Sequence, residues 1–416
     1  MKILYILLAI VILLILIMVH ELGHYLAGKL FKFKINEFSI GFGKALYQKT
    51  MKSGEKFSLR IFPLGGYCAF EGEDEDKDVE GAFNKQAPWK RLIVLFSGVF
   101  FNFVFGVIMS VVYLCMASYS QPQILQVQSD TSAFQKNDII LAVNGEDIKK
   151  YKVSKDAISQ FTSMVAEFKE DEEFVVTILR DGKEQEITVK KENRTPYRYV
   201  LAPEKLVGIG YYKSGEDYIP FLTAEESFNY LSNTENSLTN VYFYNTETET
   251  YSAYTEEALI ELCSINVSKG GVSLGILQTL HYTDYTFGEA LLYALPFCID
   301  VCWLLLITLF GLFTGATAVS ELGGTITAID QMAEVTAMDI RYVFYLSPLL
   351  SMNLAVFNAL PIPALDGARM VFVAIEWIIK KPINRNVEGY IHFFGLMILL
   401  ALVVFLDVYH FFIMKA

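Results

Sequence analysis

Charge is scarce in this sequence: 19% of its 416 residues are Asp, Glu, Lys or Arg, while 53% are hydrophobic. A chain so poor in charge is not an ordinary soluble enzyme, whatever number of domains its length would allow. Basic runs are also missing. The net charge of −12 is concentrated in residues 120–288, which hold 26 Asp and Glu against 15 Lys and Arg. An acidic balance without a basic patch excludes nucleic acid as a partner. Of the five cysteines (Cys68, Cys115, Cys263, Cys298 and Cys302) only Cys263 lies in 120–288, so that stretch can hold no internal disulfide. Disorder is excluded by 32 Phe and 24 Tyr.

Long apolar runs are what the sequence has in abundance. At roughly 20 residues per crossing they give four spans, at 1–30, 92–118, 341–367 and 389–414. The first is uncharged from Ile3 to Val19 and then carries His20, Glu21 and His24. A cleaved signal peptide would have a shorter apolar run followed by small residues, so this helix is read as retained. Segment 289–340 contains a run, Ala290 to Thr314, that is long enough to span but is interrupted by Asp300. It reads either as a fifth span or as an amphipathic or re-entrant helix at the interface. The cytoplasmic sides follow from short-loop Lys and Arg. Loop 31–91, with Lys29, carries 12 of them, and loop 368–388 carries Arg369, Lys380, Lys381 and Arg385. Both loops are therefore placed inside, and 119–288 outside. Four spans keep both loops on one side, which favours the interfacial reading of 289–340.

Within 31–91, Phe38, Ile40 and Phe42 alternate opposite Phe57, Leu59 and Ile61 across Lys52-Ser53-Gly54-Glu55. This predicts a β-hairpin ending in the turn Pro63-Leu64-Gly65-Gly66. In the outer segment, Asp138 to Gly145 reads as a strand closed by Asn144-Gly145, and Phe174–Leu179 pairs with Ile187–Val189 across Asp181-Gly182. Residues 211–262, rich in Tyr, Thr, Asn and Glu, show no clear period and read as an insertion.

His20-Glu21-Leu22-Gly23-His24 carries the chemistry. On a helix the two histidines at i and i+4 share a face, so both imidazoles can hold one Zn²⁺ while Glu21 reaches a water beside it. Zinc makes such a water acidic near pH ~7, and Glu21 can take its proton. The bland alternative is three polar residues capping and snorkelling at a helix end. Against it stands Asn358-Ala-Leu-Pro361-Ile-Pro363-Ala-Leu365-Asp366-Gly367, which ends an uncharged span with a carboxylate on the same side of the membrane. A carboxylate there is costly without a partner, and a metal is a natural one. Two His and one Asp leave a fourth position for water.

These motifs resemble the bacterial site-2 proteases, zinc intramembrane metalloproteases. His20 to His24 matches the family's HExxH motif and Asn358 to Gly367 its NxxPxPxLDG motif. Phe57 to Tyr67 resembles the family's membrane-associated β-structure, and Gly98 to Phe103 its second-span motif, with Val99 where that motif has Pro. The resemblance implies Zn²⁺ held by His20, His24 and Asp366, Glu21 as catalytic base, and substrate backbone held by Asn358; Pro361 and Pro363, which stop regular helix beside the cleft, are read as further substrate contacts. It also implies a PDZ-like domain outside, to which Ser132–Asn144–Gly145 is similar, although Ala133 and Asn137 replace glycines. Asn tolerates the left-handed backbone that Gly would supply. Gly323-Gly324 also departs from the family pattern.

The fold class that follows is a mostly α polytopic membrane protein. It combines four transmembrane helices, an interfacial helix as the alternative to a fifth span, a cytoplasmic membrane-associated β-hairpin and an extracytoplasmic PDZ-like β-rich domain. The expected function is hydrolysis of a peptide bond within the transmembrane segment of single-pass proteins, such as an anti-sigma factor or remnant signal peptides. This regulated intramembrane proteolysis would take place in the bacterial cytoplasmic membrane after a separate first protease. Two rivals are a catalytically silent PDZ-bearing membrane scaffold and a metal transporter, the latter having only Asp300 and Asp407 to line a path. His281, His392 and His410 read as interfacial or loop residues, Cys298 and Cys302 as packing residues, and Asn102 as a hydrogen-bonding residue between helices.

Overall fold

The structure, a computed structural model, describes residues 2–409 except 74, 76, 128–131, 154, 195–197, 234–237, 247, 268–270, 316–324 and 340. His410, Gly323 and Gly324 thus lie outside the described residues. The chain begins α1 (Lys2–Leu30), β1 (Ile35–Thr50), β2 (Lys56–Phe70), α2 (Pro88–Leu114). There follow β3 (Ser118–Val127), β4 (Ile139–Val143), β5 (Glu146–Asp147), α3 (Ala157–Ala166), β6 (Glu173–Arg180), β7 (Lys183–Lys190), β8 (Glu192–Arg194) and β9 (Arg198–Val200). Next are β10 (Tyr211–Ser214), β11 (Asp217–Pro220), α4 (Ala224–Ser232), β12 (Val241–Asn245), β13 (Thr250–Ala253), α5 (Glu256–Cys263), β14 (Ile265–Val267), β15 (Gly271–Ser273) and β16 (Ile276–Asp284). The chain closes with α6 (Phe287–Thr314), α7 (Thr325–Met338), α8 (Tyr342–Ala359), α9 (Asp366–Ile379) and α10 (Arg385–Tyr409). Two compact units result, one of residues 1–118, 151–154 and 284–416, the other of 119–150 and 155–283.

In the first unit α1, α2, α6, α8 and α10 are each long and apolar enough to cross a membrane. At 1.5 Å per residue α1 is about 43 Å long, more than the ~30 Å hydrocarbon core requires. The Ala290–Thr314 run is therefore part of a fifth helix of spanning length. Both α6 and α8 run antiparallel to α2. Tyr113 of α2 packs on Phe297 and Tyr345 with ring centroids 5.8 and 5.1 Å away, and Ser110 Oγ meets Cys298 Sγ at 2.9 Å. Deeper along α2, Ser351 Oγ donates to the Asn102 carbonyl at 2.7 Å. Because α6 and α8 run the same way, the chain between them has to return, so a fifth spanning helix leaves loops 31–91 and 368–388 on one side. Asp300 is partnered rather than simply exposed: its carboxylate accepts the Val153 N–H at 2.7 Å, and Tyr151 stacks on Tyr293. Asp407 of α10 accepts from the Ile326 and Thr327 N–H groups at 3.2 and 3.0 Å, a carboxylate set at the positive end of α7.

The predicted hairpin is present but more elaborate. β2 does not end at Pro63-Leu64-Gly65-Gly66 but continues to Phe70, and both strands bend. The pairing then makes four side-by-side segments: 45–50 against 56–60, 56–59 beside 37–40, and 35–40 against 66–70. Phe33, Phe38, Cys68, Phe70 and Phe83 form one apolar cluster with Ala27 of α1, Val94 and Leu95 of α2 and Val373 of α9. That burial fixes the sheet to the helices that carry the site. The turn is tied down by charge, because the buried Glu55 carboxylate accepts from Lys29 Nζ at 2.7 Å and Tyr25 OH at 3.0 Å.

In the second unit a sheet of order β16-β3-β4-β6-β7, with β5 beside β4, packs on α3 around Ile140, Phe161, Val176 and Ile178. Its turns are those the residues predict, with positive φ at Asn144, Gly145, Asp181 and Gly182. Asn137 also has positive φ, 73°. The described residues of 211–262 form a subunit of the fold: a sheet of order β11-β10-β12-β13 shares a core with α4, α5 and the β9–β14 pair around Leu206, Phe221, Leu231, Val241 and Leu259. Its period escaped detection because each strand is only four or five residues long.

Candidate metal centre

The site is built on the second half of α1. His20 and His24 lie one turn apart with rings 4.8 Å centroid to centroid and nearly perpendicular. Their space comes from Gly98 of α2, where a Cβ would lie 2.5 Å from His24 Nε2 and 2.7 Å from His20 Cε1. His24 donates Nδ1–H to the Val94 carbonyl at 2.8 Å, which leaves its Nε2 free to face the site. His20 Nε2 lies 3.2 Å from His24 Nε2.

The third group arrives from 346 positions away in the sequence, with Asp366 Oδ2 2.9 Å from His20 Nε2 and 3.2 Å from His24 Nε2. Asp366 opens α9, after a stretch in which Pro361 and Pro363 keep the chain out of helix. That stretch is held from two sides. Gly367 packs on the Leu360 carbonyl where any Cβ would clash, and Ala364, at φ 82°, donates its N–H to His392 Nδ1 of α10 at 2.9 Å. His392 thus supports the loop that presents Asp366, a role sequence spacing could not show because it depends on α10 packing across the loop.

One ligand atom each from His20, His24 and Asp366 lie within 4.8 Å of one another, the only such group among the described residues. Two buried imidazoles within an apolar helix and a half-buried carboxylate are the donor set of an open tetrahedral zinc site. A second observation fits a metal there. His20 Nδ1 meets the Asn102 side-chain amide at 3.4 Å, and Asn102 Oδ1, fully buried, has no hydrogen-bond partner. With Nε2 on a metal, His20 carries its proton on Nδ1 and needs an acceptor. Turning the Asn102 amide by 180° supplies Oδ1 to that proton and satisfies both groups.

His20, Glu21, Asn102, Asn358 and Asp366 line one cavity of about 220 Å³, with Ile17, Leu354, Ala364 and Leu365. Of the residues expected to contact substrate, Asn358 is therefore at the cavity. Pro361 and Pro363 are not on its wall; Pro363 packs against Gly395 of α10. Glu21 sits against the edge segment of β2, its Cγ 3.3 Å from where a Cβ on Gly66 would stand, with the Cys68 backbone amide directed at its carboxylate.

Such a fold and site define a multi-pass membrane protein with a candidate zinc centre, and comparison with known proteins places it. The model of peptidase family M50 matches residues 8–402, and the chain belongs to this family, the site-2 proteases. A protein of Fusobacterium nucleatum, provisionally named a zinc metalloprotease, is 28% identical over 413 residues, covering 97% of each chain. Relatives with the same provisional name occur in Campylobacter jejuni, 26% identical over 94% of this chain and 88% of the relative, and in Synechocystis, 27% identical over 96% and 92%.

Proposed function

We propose that this protein is a zinc-dependent endopeptidase that hydrolyses a peptide bond within the transmembrane segment of single-pass membrane proteins. The observation that carries the proposal is the convergence of one ligand atom each from His20, His24 and Asp366 within 4.8 Å, beside a cavity that His20, Asp366 and Glu21 line. Bound Zn²⁺ would supply Lewis acidity for attack on an amide carbonyl. Glu21 takes the proton of the attacking water and returns it to the leaving amine. Asn358, on the same cavity wall, holds substrate backbone, while Pro361 and Pro363 shape the loop. A helical peptide bond is shielded, so substrate has to unwind locally. Segment 66–70 is the outer segment of its sheet and lies beside Glu21, where an unwound stretch can add as a further strand.

The lysine- and arginine-rich loops put the site toward the cytoplasmic side of a bacterial cytoplasmic membrane and the second unit outside. That unit's first sheet and α3, with Asn137 in the left-handed conformation a glycine would take, support its reading as PDZ-like. An outer domain of this kind suits a protease that acts on stubs left by a separate first cleavage, anti-sigma factors or remnant signal peptides among them. The test is cleavage of a model single-span substrate by the detergent-purified protein, wild type beside Glu21→Gln, with zinc determined on both. Wild type is expected to cut inside the span, and the variant to keep zinc without cutting. Equal cleavage by both would remove Glu21 as base, and zinc binding without cleavage of any span tried would favour the silent scaffold.

A further inference from the structure

We propose that the outward face of the sheet β10–β13 is a docking surface for an extended polypeptide segment bearing Lys or Arg. The register carries the argument. Tyr211 pairs with Tyr242, Lys213 with Tyr218 and Tyr244 with Tyr251, so five tyrosines and one lysine share one face. The opposite face gives Tyr212 and Val241 to the core. Paired in this way the aromatic face has no covering element in its own sheet, and Tyr244 and Tyr251 remain 42% and 36% exposed.

The rings are already ordered among themselves. Tyr218 and Tyr251 stack at 4.1 Å and 9°, and Tyr211 and Tyr244 stand edge-on to Tyr251 at 5.0 and 5.1 Å. Order of this kind lowers the entropy lost on binding, and tyrosine joins apolar area to a hydrogen-bonding tip. Because the ring faces are turned on one another, they do not form the open flat platform that stacking on a sugar needs.

Charge selects the partner. Residues 211–262 carry 10 Asp and Glu and a single base, Lys213. Lys213 Nζ lies 5.6 Å from the centre of the Tyr218 ring. The one cation on the face thus already makes the contact that a partner's Lys or Arg would repeat. Glu216 and Asp217 at the β10–β11 turn and Glu249 at the β12–β13 turn lie at the ends of these strands. A cationic segment in extended form, with side chains alternating, can set every second one on the rings. The inference does not depend on the protease reading.

The test uses the full-length protein in detergent with a fluorescein-labelled peptide of alternating Lys and Thr, ten residues long, read by anisotropy. A Glu-Thr peptide of the same length and chitohexaose serve as comparisons. The Lys-Thr peptide is expected to bind and the Glu-Thr peptide not to. Affinity should fall at least tenfold in Tyr244→Thr/Tyr251→Thr and return to within threefold of wild type in Tyr244→Phe/Tyr251→Phe. Should the threonine pair not fold, Tyr244→Thr alone, at the most exposed ring, is expected to lose at least threefold. Undiminished binding by a folded threonine variant would reduce the effect to diffuse attraction by an acidic domain and overturn the proposal. So would binding of neither peptide, or displacement by chitohexaose, which would make the face a glycan site.

Discussion

Gly98 has no side chain, yet the placement of both imidazoles depends on it. Gly98→Val would drive a branched side chain into the rings of His20 and His24, and it is expected to empty the site of zinc although no ligand changes, as metal analysis of the purified variant would show. Asn102 acts on the same ring from the far side. Asn102→Leu is expected to weaken zinc binding by roughly 10- to 100-fold, the usual effect of losing a group that orients a ligand, while Asn102→Asp retains an acceptor for the His20 Nδ1 proton and most of the affinity. Chelator competition measures both. Unchanged affinity in Asn102→Leu would mean the contact is packing alone. The histidine pair and Asp366 were legible because their motifs are local in sequence. Gly98 and Asn102 were legible as parts of a motif but not for what they touch, and His392 was not legible at all, since a contact across 28 positions between a loop and the second helix after it leaves no trace in spacing.

At the level of elements, the β-sheet is anchored to α1 through Glu55. Burial alone would raise the pKa of this carboxyl, but donors from Lys29, its own backbone, Ser53 and Tyr25 outweigh it and hold the value at about 2. A group depressed in the folded state gives stability that is present above its ordinary value of 4.5 and is lost as pH falls toward about 2. Protection factors for the amides of residues 51–56, taken relative to unstructured amides at the same pH, are therefore expected to fall between pH 4.5 and about 2 in the wild type, and to be low already at neutral pH in Glu55→Gln. A loop that stays protected at low pH would contradict this anchor. A second tie is buried: Arg91 of α2 donates to Glu376 of α9 at 2.6 Å, with both side chains nearly inaccessible. Breaking it from one side, as in Glu376→Leu, should cost about 3–5 kcal/mol of stability, and Arg91→Met/Glu376→Leu should recover only part of that loss, because Glu376 also holds Arg385 at 3.1 Å and accepts the Ile383 N–H at 3.0 Å. Thermal unfolding of the three variants would show it. The hairpin strands were visible as alternation, but their bend was not, because a strand that changes partner halfway keeps the same period of two on both sides of the bend.

For the whole molecule, membership in the M50 family agrees with a fold in which helices of spanning length converge on one polar cluster. The sequence left Ala290–Thr314 between a fifth span and an interfacial helix, and parity favoured the interface; the structure makes the run part of a helix of spanning length, in which Asp300 is partnered by the backbone of Val153, 147 positions away. The parity argument assumed that consecutive spans alternate in direction, whereas α6 and α8 run the same way along α2. The second unit has two cores of its own and is entered and left on the neighbouring strands β3 and β16. Residues 119–283 expressed alone are accordingly expected to unfold cooperatively on heating, and a broad, non-cooperative melt would show that they need the membrane unit to fold. The central claim is that His20, His24 and Asp366 together hold one zinc. The most direct measurement of it is zinc K-edge X-ray absorption on the purified wild type and on Asp366→Asn, with zinc counted per chain. The account predicts about one zinc in the wild type, with two imidazole nitrogens and a carboxylate oxygen in its shell, and a variant that loses the metal or that oxygen. A wild type without zinc, or a variant whose zinc content and shell match the wild type, would contradict it.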